Sequence, residues 1–497
     1  MPSSADEAMK LYQVLEGIPT ALPDQEITAL VDDTHRVQKD CLFFCIRGSR
    51  FDGHAVAEDM LQKGAAAVVV ERDLGLGDRQ ILVQDSRVAY GRACAAWFDH
   101  PERKMKMIGV TGTNGKTTMT NVIKYILTDN GHKVGLVGTI QNEIGDEAVH
   151  TDNTTPMAFD LMRLFDRMYR AGCDTVVMEV SSFGLVQHRI GPTNFQIAVF
   201  TNLTQDHLDY HKDMEDYYQA KRMLFDVCDL AICNIDDAYG QRLYKEISCE
   251  KFSYGCHENA DFYADVIKIK PTETSFWFCS EGKSHQVTMK MTGMFNVSNV
   301  TAAMGACLKC GIPIERIIAS VSRYKGVKGR CEVIPTGRDF SVICDYAHTP
   351  DAIENILSNV GGYTEGRLIC LFGCGGNRDS AKRPLMAKAA AKYADHLVIT
   401  SDNPRDEKPE AIIDDILAGL SGSTVTYDVV VDRIEAIQHA LRIARAGDVI
   451  VLAGKGHEDY QILADNQHIH LDEREVVAQG LALLDPAESS ESTEKRD

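Results

Sequence analysis

The 497-residue sequence contains no apolar run long enough to cross a membrane: stretches such as Ala65–Val70 stop far short of about 20 residues. Met1–Gly17 also lacks the apolar centre of a signal peptide. These two absences predict a cytoplasmic protein with no membrane insertion. Basic charge is scarce as well. There are 52 Lys and Arg against 72 Asp and Glu, giving a formal net charge of −20 that no concentrated basic patch offsets. A chain of that sign repels a phosphate backbone, so no nucleic-acid partner is expected. Repeats and low-complexity tracts are missing, apart from the Ser-, Glu- and Lys-rich end Glu488–Asp497, which is expected to fray without a function. Cysteine is not scarce, with fifteen residues, but positions such as Cys228, Cys233, Cys344 and Cys370 fall within strand-like runs. Without an export signal they read as reduced thiols. Cys307-Leu-Lys-Cys310 has redox or half-zinc spacing, yet no second pair stands at finger spacing, and the segment lies in the helix-like run Val300–Lys309. It reads as small helical residues.

The remaining composition, 44% hydrophobic and 25% charged, is that of a folded globular chain. Its length exceeds one hydrophobic core and suggests about three domains at about 150 residues each. The first hundred residues alternate strand-like Cys41–Arg47, helix-like Ala55–Lys63 and buried strand-like Ala65–Glu71, which predicts a small α/β domain over 1–104. A polar stretch at His100–Lys106 then precedes a run of apolar strands separated by helical segments. The strands Met107–Val110, Thr175–Val180, Ile197–Asn202 and Leu230–Asn234 predict a central doubly wound, mostly parallel sheet over 105–327. A second set, Ser341–Asp345, Arg367–Phe372, His396–Thr400, Val425–Val429 and Asp448–Leu452, predicts a third, Rossmann-like α/β domain over 328–497. A monomer is the expected state.

The strongest local signal is Gly109-Val-Thr-Gly112-Thr113-Asn114-Gly115-Lys116-Thr117-Thr118, a glycine-rich turn between an apolar strand and the helix-like run Met119–Thr128. Glycines let backbone N–H groups approach phosphate oxygens, Lys116 can neutralise β- and γ-phosphates, and the Thr117 hydroxyl can ligate Mg²⁺. The usual pattern has glycine at position 110, where Val110 stands. Such a loop implies ATP or another nucleoside triphosphate but does not separate kinase, switch, motor and ligase. Glu179 ends the next apolar strand, where a doubly wound sheet binds its ligands, and is a Mg²⁺ ligand candidate or a solvated strand-end acid. Thr201–His211 packs polar groups after another strand, with His207 either a metal or phosphate contact or a packed or capping histidine. From spacing alone Lys221, on a helix-like segment, is a solvated charge.

Six segments taken in order resemble the Mur ligase family: Gly109–Thr118, Glu179-Val-Ser-Ser182, Asn202–His211, Ala220-Lys221, Gly293-Met-Phe-Asn296 and Asp345-Tyr-Ala-His348-Thr-Pro-Asp. Among its members the chain is most similar to those adding the third residue to UDP-N-acetylmuramoyl-L-Ala-D-Glu. The resemblance implies three domains, for the uridine nucleotide, ATP and the incoming amino acid, and ligation through an acyl phosphate. It implies Lys116, Glu179, His207 and Lys221 as the catalytic set, and Thr117, Glu179, His207 and a carbamylated Lys221 around Mg²⁺. Asn296, Asn299, Arg330, Asp345 and His348 are implied at the nucleotide, together with the loop. Thr34, Asn153, Thr154, Thr155, Ser181, Gln187 and Arg189 are implied at the muramoyl dipeptide. Asp402-Asn403-Pro404-Arg405 resembles the motif of diaminopimelate-adding members. A forked guanidinium at Arg405 can accept the distal carboxylate that L-lysine lacks. Arg378, Gly454 and Glu458 match the remaining amino-acid positions, Glu458 being suited to an ammonium.

Three departures lie on the nucleotide-sugar side: Asp33-Thr34-His35 where Asp-Ser-Arg is usual, Met157 where Glu is common, and Phe183 where His follows the two serines. They keep other readings open: ligation of L-lysine, an amide ligase of the folylpolyglutamate or cyanophycin synthetase type, or a non-catalytic ATP-binding cell-wall scaffold.

Overall fold

The computed structural model describes residues 8–48, 51–207 and 210–484. The C-terminal tail, including Glu488–Asp497, lies outside them, as do Leu208 and Asp209 of the Asn202–His211 segment. Two compact units emerge. One runs to Asp265 and takes in Phe278–Ser284 and Ser298–Ser320; the other comprises Val266–Trp277, His285–Val297 and the chain from Val321.

The first unit holds two main sheets beside the short antiparallel pair Met9–Lys10 and Glu26–Ile27. A four-stranded parallel sheet is ordered Leu30–Val31, Leu42–Phe44, Ala67–Val70, Gln80–Leu82. Alternation divides its side chains between two cores: Leu42, Phe44 and Val69 enter one, and Phe43, Val68 and Val70 the other. In the larger sheet, parallel strands run in the order Val134–Val137, Thr175–Glu179, Lys106–Thr111, Phe195–Phe200, Cys228–Asn234, Glu250–Gly255. The first four are apolar runs buried almost throughout, as a sheet covered by crossover helices requires, while Cys228–Asn234 and Glu250–Gly255 are buried toward their carboxyl ends. At one edge Asn142–Ile144 and Glu147–Val149 turn back as an antiparallel hairpin.

The second unit is built on a sheet ordered Glu332–Ile334, Ser341–Asp345, Val449–Ala453, Leu368–Phe372, His396–Ile399, Thr426–Val429. All pairs but the first are parallel. Ile343, Cys370, Phe372, Leu397 and Val451 pack with helices Pro350–Gly361, Lys382–Tyr393 and Pro409–Ala418 on one side. Val342, Leu371, Val398, Ile450 and Leu452 pack with Arg433–Ile443 and Glu473–Leu484 on the other. Helices on both faces leave the carboxyl edge of the strands as the open rim, which is where such folds bind ligands. All fifteen cysteines are free thiols. No helix among the described residues is long and apolar enough to cross a membrane.

Candidate active site

Three loops at the carboxyl edge of the larger sheet in the first unit form one hydrogen-bonded surface. Strand Lys106–Thr111 still includes Val110, paired with Glu179 on one side and Val199 on the other, so position 110 needs no glycine. The turn begins at Gly112, with φ +147, where a Cβ would stand 1.8 Å from the Thr201 hydroxyl. Gly115, at φ +88, ends the turn beside Asn299, whose Oδ1 a Cβ would approach to 2.5 Å. Helix Lys116–Asp129 starts there and points its first N–H groups at the rim. The loop is tied down from the neighbouring strand: Asn114 N donates to Asn202 Oδ1 at 2.9 Å, Thr113 N to Asn202 O at 2.8 Å, and Thr201 Oγ1 to Asn114 O at 2.6 Å.

Two lysines meet at the loop. Lys116 Nζ donates to Gly112 O at 2.9 Å and Thr113 O at 2.7 Å, while Lys221 Nζ donates to the same Gly112 carbonyl at 2.8 Å. Lys221 is only 1% exposed, which overturns the solvated charge its helical spacing suggests. Burial, and then the charge of Lys116, hold its amine well below the usual lysine range. The Tyr217 ring lies 4.5 Å beneath that amine. Glu179 is likewise buried, at 1% exposure, and not a solvated strand-end acid. Its Oε2 accepts from Thr117 Oγ1 and Thr139 Oγ1, both at 3.0 Å, and Oε1 from Thr139 N at 2.9 Å.

The network extends along the same edge. Thr139 Oγ1 lies 3.0 Å from Thr154 Oγ1; Thr155 Oγ1 donates to Glu179 O and accepts from Ser181 N, both at 3.0 Å. Ser181 caps helix Ser182–Val186 through Gly184 N. Arg189 is held by Thr155 O at 2.8 Å and by two bonds to Gln187 Oε1. Its guanidinium is half-buried, and desolvation lowers its pKa from the ordinary value. His207, with φ +53, sits partly exposed, edge-on to the Phe183 ring at 5.2 Å. Phe183 therefore occupies an aromatic cluster with Tyr210 at 4.2 Å and His211 at 5.8 Å, and imidazoles remain beside it although none stands at 183. Thr34 lies in the turn after Leu30–Val31, held by Asp33 Oδ1 accepting from His35 N. A cavity of about 330 Å³ joins Arg36 of that turn to Asn153 and Met157. Among the described residues, no three His, Cys, Asp or Glu side chains converge as a metal cage.

The second unit carries its own cluster. Half-buried Asp345, its pKa raised by desolvation, accepts from Cys331 N at 2.7 Å. Arg330 lies over the Tyr346 ring at 5.1 Å, and the His348 and His457 rings are 4.7 and 4.9 Å from that ring. Burial lowers the pKa of both imidazoles, that of His457 to about 4 with help from the charges of Arg330, Lys328 and Arg474. Asn296 donates to Thr292 O, and its buried Oδ1 has no partner among the described residues. Three rim loops hold the remaining predicted residues. Arg405, in the left-handed region at φ +52, donates Nη1 to Gly376 O at 3.0 Å, and exposed Arg378 lies across Gly375 from it. Gly454, at φ +118, comes close to Asp402, and Glu458 Oε2 accepts from Asn403 Nδ2 at 3.2 Å. Pro404 is buried between them in sequence.

The chain matches the Mur ligase middle domain over residues 110–307, the "Mur ligase, glutamate ligase domain" over 329–456, and "Mur ligase family, catalytic domain" over 26–99. It is 43% identical to a Clostridium acetobutylicum protein named UDP-N-acetylmuramoyl-L-alanyl-D-glutamate--2,6-diaminopimelate ligase 1, covering 95% of this chain and 99% of that one. The chain belongs to the Mur ligase family. A Bacillus cereus Mur ligase of the same name, without the final numeral, is 42% identical over 92% of this chain and 94% of its own. A solved structure with that ligase name superposes with TM-score 0.73 at 30% identity, covering 96% and 99% of the two chains.

Several polar residues of this Mur ligase escaped the sequence reading. Thr139 follows strand Val134–Val137 and binds both oxygens of Glu179; the Gly138-Thr139 pair at a strand end was its only signal. Gly138 is required there because a Cβ would stand 2.7 Å from Glu179 Oε1. Lys455 and Arg433, both buried to 0 to 1% exposure, back the Asp402–Arg405 loop; Lys455 directly follows Gly454, which the sequence already singled out.

Proposed function

We propose that this Mur ligase joins meso-diaminopimelate to the D-Glu carboxylate of UDP-N-acetylmuramoyl-L-Ala-D-Glu with cleavage of ATP. The observation that carries this reading is the convergence of the 112–118 loop, Lys221 and the Thr117–Glu179 pair on one sheet edge. Relatives over 40% identical along nearly the whole chain carry the name of that ligation, and they supply the two substrates. The division of labour follows the segments 1–104 for the uridine nucleotide, 105–327 for ATP and 328–497 for the incoming amino acid. The need for ATP and a nucleotide sugar places the reaction in the cytoplasm.

In this reading the backbone N–H groups of 112–118 cradle the β- and γ-phosphates, and Lys116 exchanges its bonds to Gly112 O and Thr113 O for phosphate oxygens. Asn299 lies at Gly115, and Asn296, Arg330, Asp345 and His348 contribute to the nucleotide. Arg189 and Gln187, with Thr34, Asn153, Thr154, Thr155 and Ser181, hold the muramoyl dipeptide. The D-Glu carboxylate attacks the γ-phosphorus and ADP leaves. The neutral amine then attacks the acyl carbon, and phosphate leaves from the tetrahedral intermediate.

The hard oxygens of Thr117 and Glu179, 3.0 Å apart at the phosphate loop, suit Mg²⁺, which binds through one or two carboxylates plus substrate phosphates. His207 and Lys221 complete the proposed set. When bound, Mg²⁺ supplies charge to the transferring phosphoryl group. Carbamylation of Lys221 requires an unprotonated amine to attack CO₂. Its burial and the neighbouring Lys116 favour that neutral form. The resulting carbamate would set an anion beside the Lys116 cation.

The acyl phosphate is tested by labelling the D-Glu carboxylate with heavy oxygen. Label carried into the released phosphate is the expected result; label retained entirely in the peptide would sink the mechanism.

A further inference from the structure

Behind the Asp402–Arg405 loop lies a lysine fully enclosed by protein. Lys455 follows strand Val449–Ala453, and its side chain is 0% exposed. Its ammonium donates to Asn403 Oδ1, to Glu458 Oε2 at 3.2 Å and to Tyr460 O at 2.8 Å, with Asp402 Oδ1 4.0 Å away. Asn403 ties these groups together: Oδ1 also accepts from Ile462 N at 2.9 Å, and Nδ2 donates to Glu458 Oε2 at 3.2 Å. Glu458 Oε2 thus has two donors, whereas Oε1 has no hydrogen-bond partner among the described residues. Arg405 is fixed to the same hairpin through its N–H to Ile462 O at 3.1 Å.

Enclosing an ammonium costs several kcal/mol before its partners repay it, and an apolar side chain of similar length would fill the space more cheaply. Lys455 achieves something an apolar residue cannot. It occupies one oxygen of Glu458 and sets the rotamer of Asn403, so the carboxylate can take a cation only through its remaining oxygen. Around this loop the positive groups Arg378, Arg405, Arg433 and Lys455 stand with the negative groups Asp402, Asp406, Glu407 and Glu458.

We propose that Lys455 is a specificity-determining positioning residue, which orients Asn403 and Glu458 so that the site takes an acceptor whose far end bears both an ammonium and a carboxylate. This rests on the roles given above to Arg405 and Glu458. A zwitterionic end finds Glu458 Oε1 and Arg405 together. A lone distal ammonium, as in L-lysine, meets a carboxylate already half-neutralised and leaves the Arg405 guanidinium without an anion. Without Lys455 both oxygens of Glu458 and the side chain of Asn403 are released, and the preference against a lone ammonium weakens.

The test is steady-state kinetics of full-length Lys455→Met with meso-diaminopimelate and with L-lysine. Misplacing the acceptor contacts raises the KM for diaminopimelate about 10- to 100-fold. The ratio of kcat/KM for diaminopimelate over L-lysine falls by at least about tenfold, while the KM for ATP and for the nucleotide dipeptide stays put. In a Glu458→Gln background the same substitution adds little, because Lys455 acts through Glu458. Asn403→Asp, which removes the amide donor to Glu458, reads the same link if the lysine variant fails to fold. An unmoved acceptor KM and an unmoved ratio overturn the inference, and so does a uniform rise in all three KM values, the mark of a purely structural lysine. Wild-type protein that fails to use diaminopimelate overturns the underlying reading as well, so the two failures are told apart.

Discussion

At the level of single residues the account turns on Lys221. Lys221→Met removes the amine that would carry the carbamate and is expected to lower kcat by about 10²- to 10³-fold, the usual cost of losing one group that stabilises developing charge. Carbon-labelled bicarbonate should give a carbamate resonance in wild-type protein and none in the variant. The same residue gives a pH signature. Its amine has a lower pKa folded than unfolded, so between that lowered value and about pH 10 the unfolded chain holds a proton that the folded one has released. The residue therefore opposes folding at neutral pH, and that penalty fades as pH rises toward the ordinary lysine value. Lys221→Met should flatten this part of the stability profile in urea titrations at increasing pH. Arg405→Ala should raise the diaminopimelate KM by about 30- to 150-fold, equivalent to about 2–3 kcal/mol for a lost hydrogen bond to a charged group. Spacing alone misjudged Lys221, because a lysine on a polar helical segment carries no mark of the tyrosine and loop carbonyl that enclose it. The motif order supplied what periodicity could not. Thr139 and Lys455 stayed hidden for a similar reason: Glu179 lies 40 residues from Thr139, and Asn403 lies 52 residues from Lys455.

At the level of elements, the phosphate turn was legible because strand, glycines and helix follow in unbroken order, and the structure explains why its first glycine is displaced. Val110 belongs to the strand, and Gly112 stands where the turn meets Thr201. Gly112→Ala should abolish measurable ATP binding in calorimetry, since the new methyl meets Thr201 Oγ1 at 1.8 Å in a backbone region unfavourable to alanine. The hairpin Asn142–Val149 was not legible, because its strands are short and half-polar and carry neither a long apolar run nor regular alternation. Helix Met214–Arg222, which presents Lys221, is braced to helix Ala238–Glu246 by two bonds from Arg242 to Glu215, at 2.6 and 2.8 Å. The Arg242 pairing, helped by Gln219, holds Glu215 down to about 2, so its contribution is complete above the ordinary glutamate value near 4.5 and disappears as pH falls toward 2. Glu215→Gln should lower the melting temperature slightly at pH 7 and leave it unchanged at pH 2.

At the level of the whole molecule, the two largely parallel sheets were legible in their central strands, short apolar runs buried on both faces such as Thr175–Glu179, Leu368–Phe372 and Val449–Ala453. The carboxyl edges of those sheets then placed the candidate residues, since strand ends at 111, 179 and 200 in one unit and at 345, 372, 399 and 453 in the other all feed rim loops. The departures at His35, Met157 and Phe183 fall on the surface proposed for the nucleotide-sugar substrate and outside the phosphate loop and the lysine pair. The measurement that bears most directly on the account is phosphate release by purified full-length protein with ATP, Mg²⁺ and UDP-N-acetylmuramoyl-L-Ala-D-Glu, comparing meso-diaminopimelate with L-lysine and weighing the nucleotide product. Turnover with diaminopimelate, at a kcat/KM at least about a hundredfold above that with L-lysine, is the predicted result. Equal or preferred use of L-lysine, or release of phosphate without a tripeptide product, would contradict it.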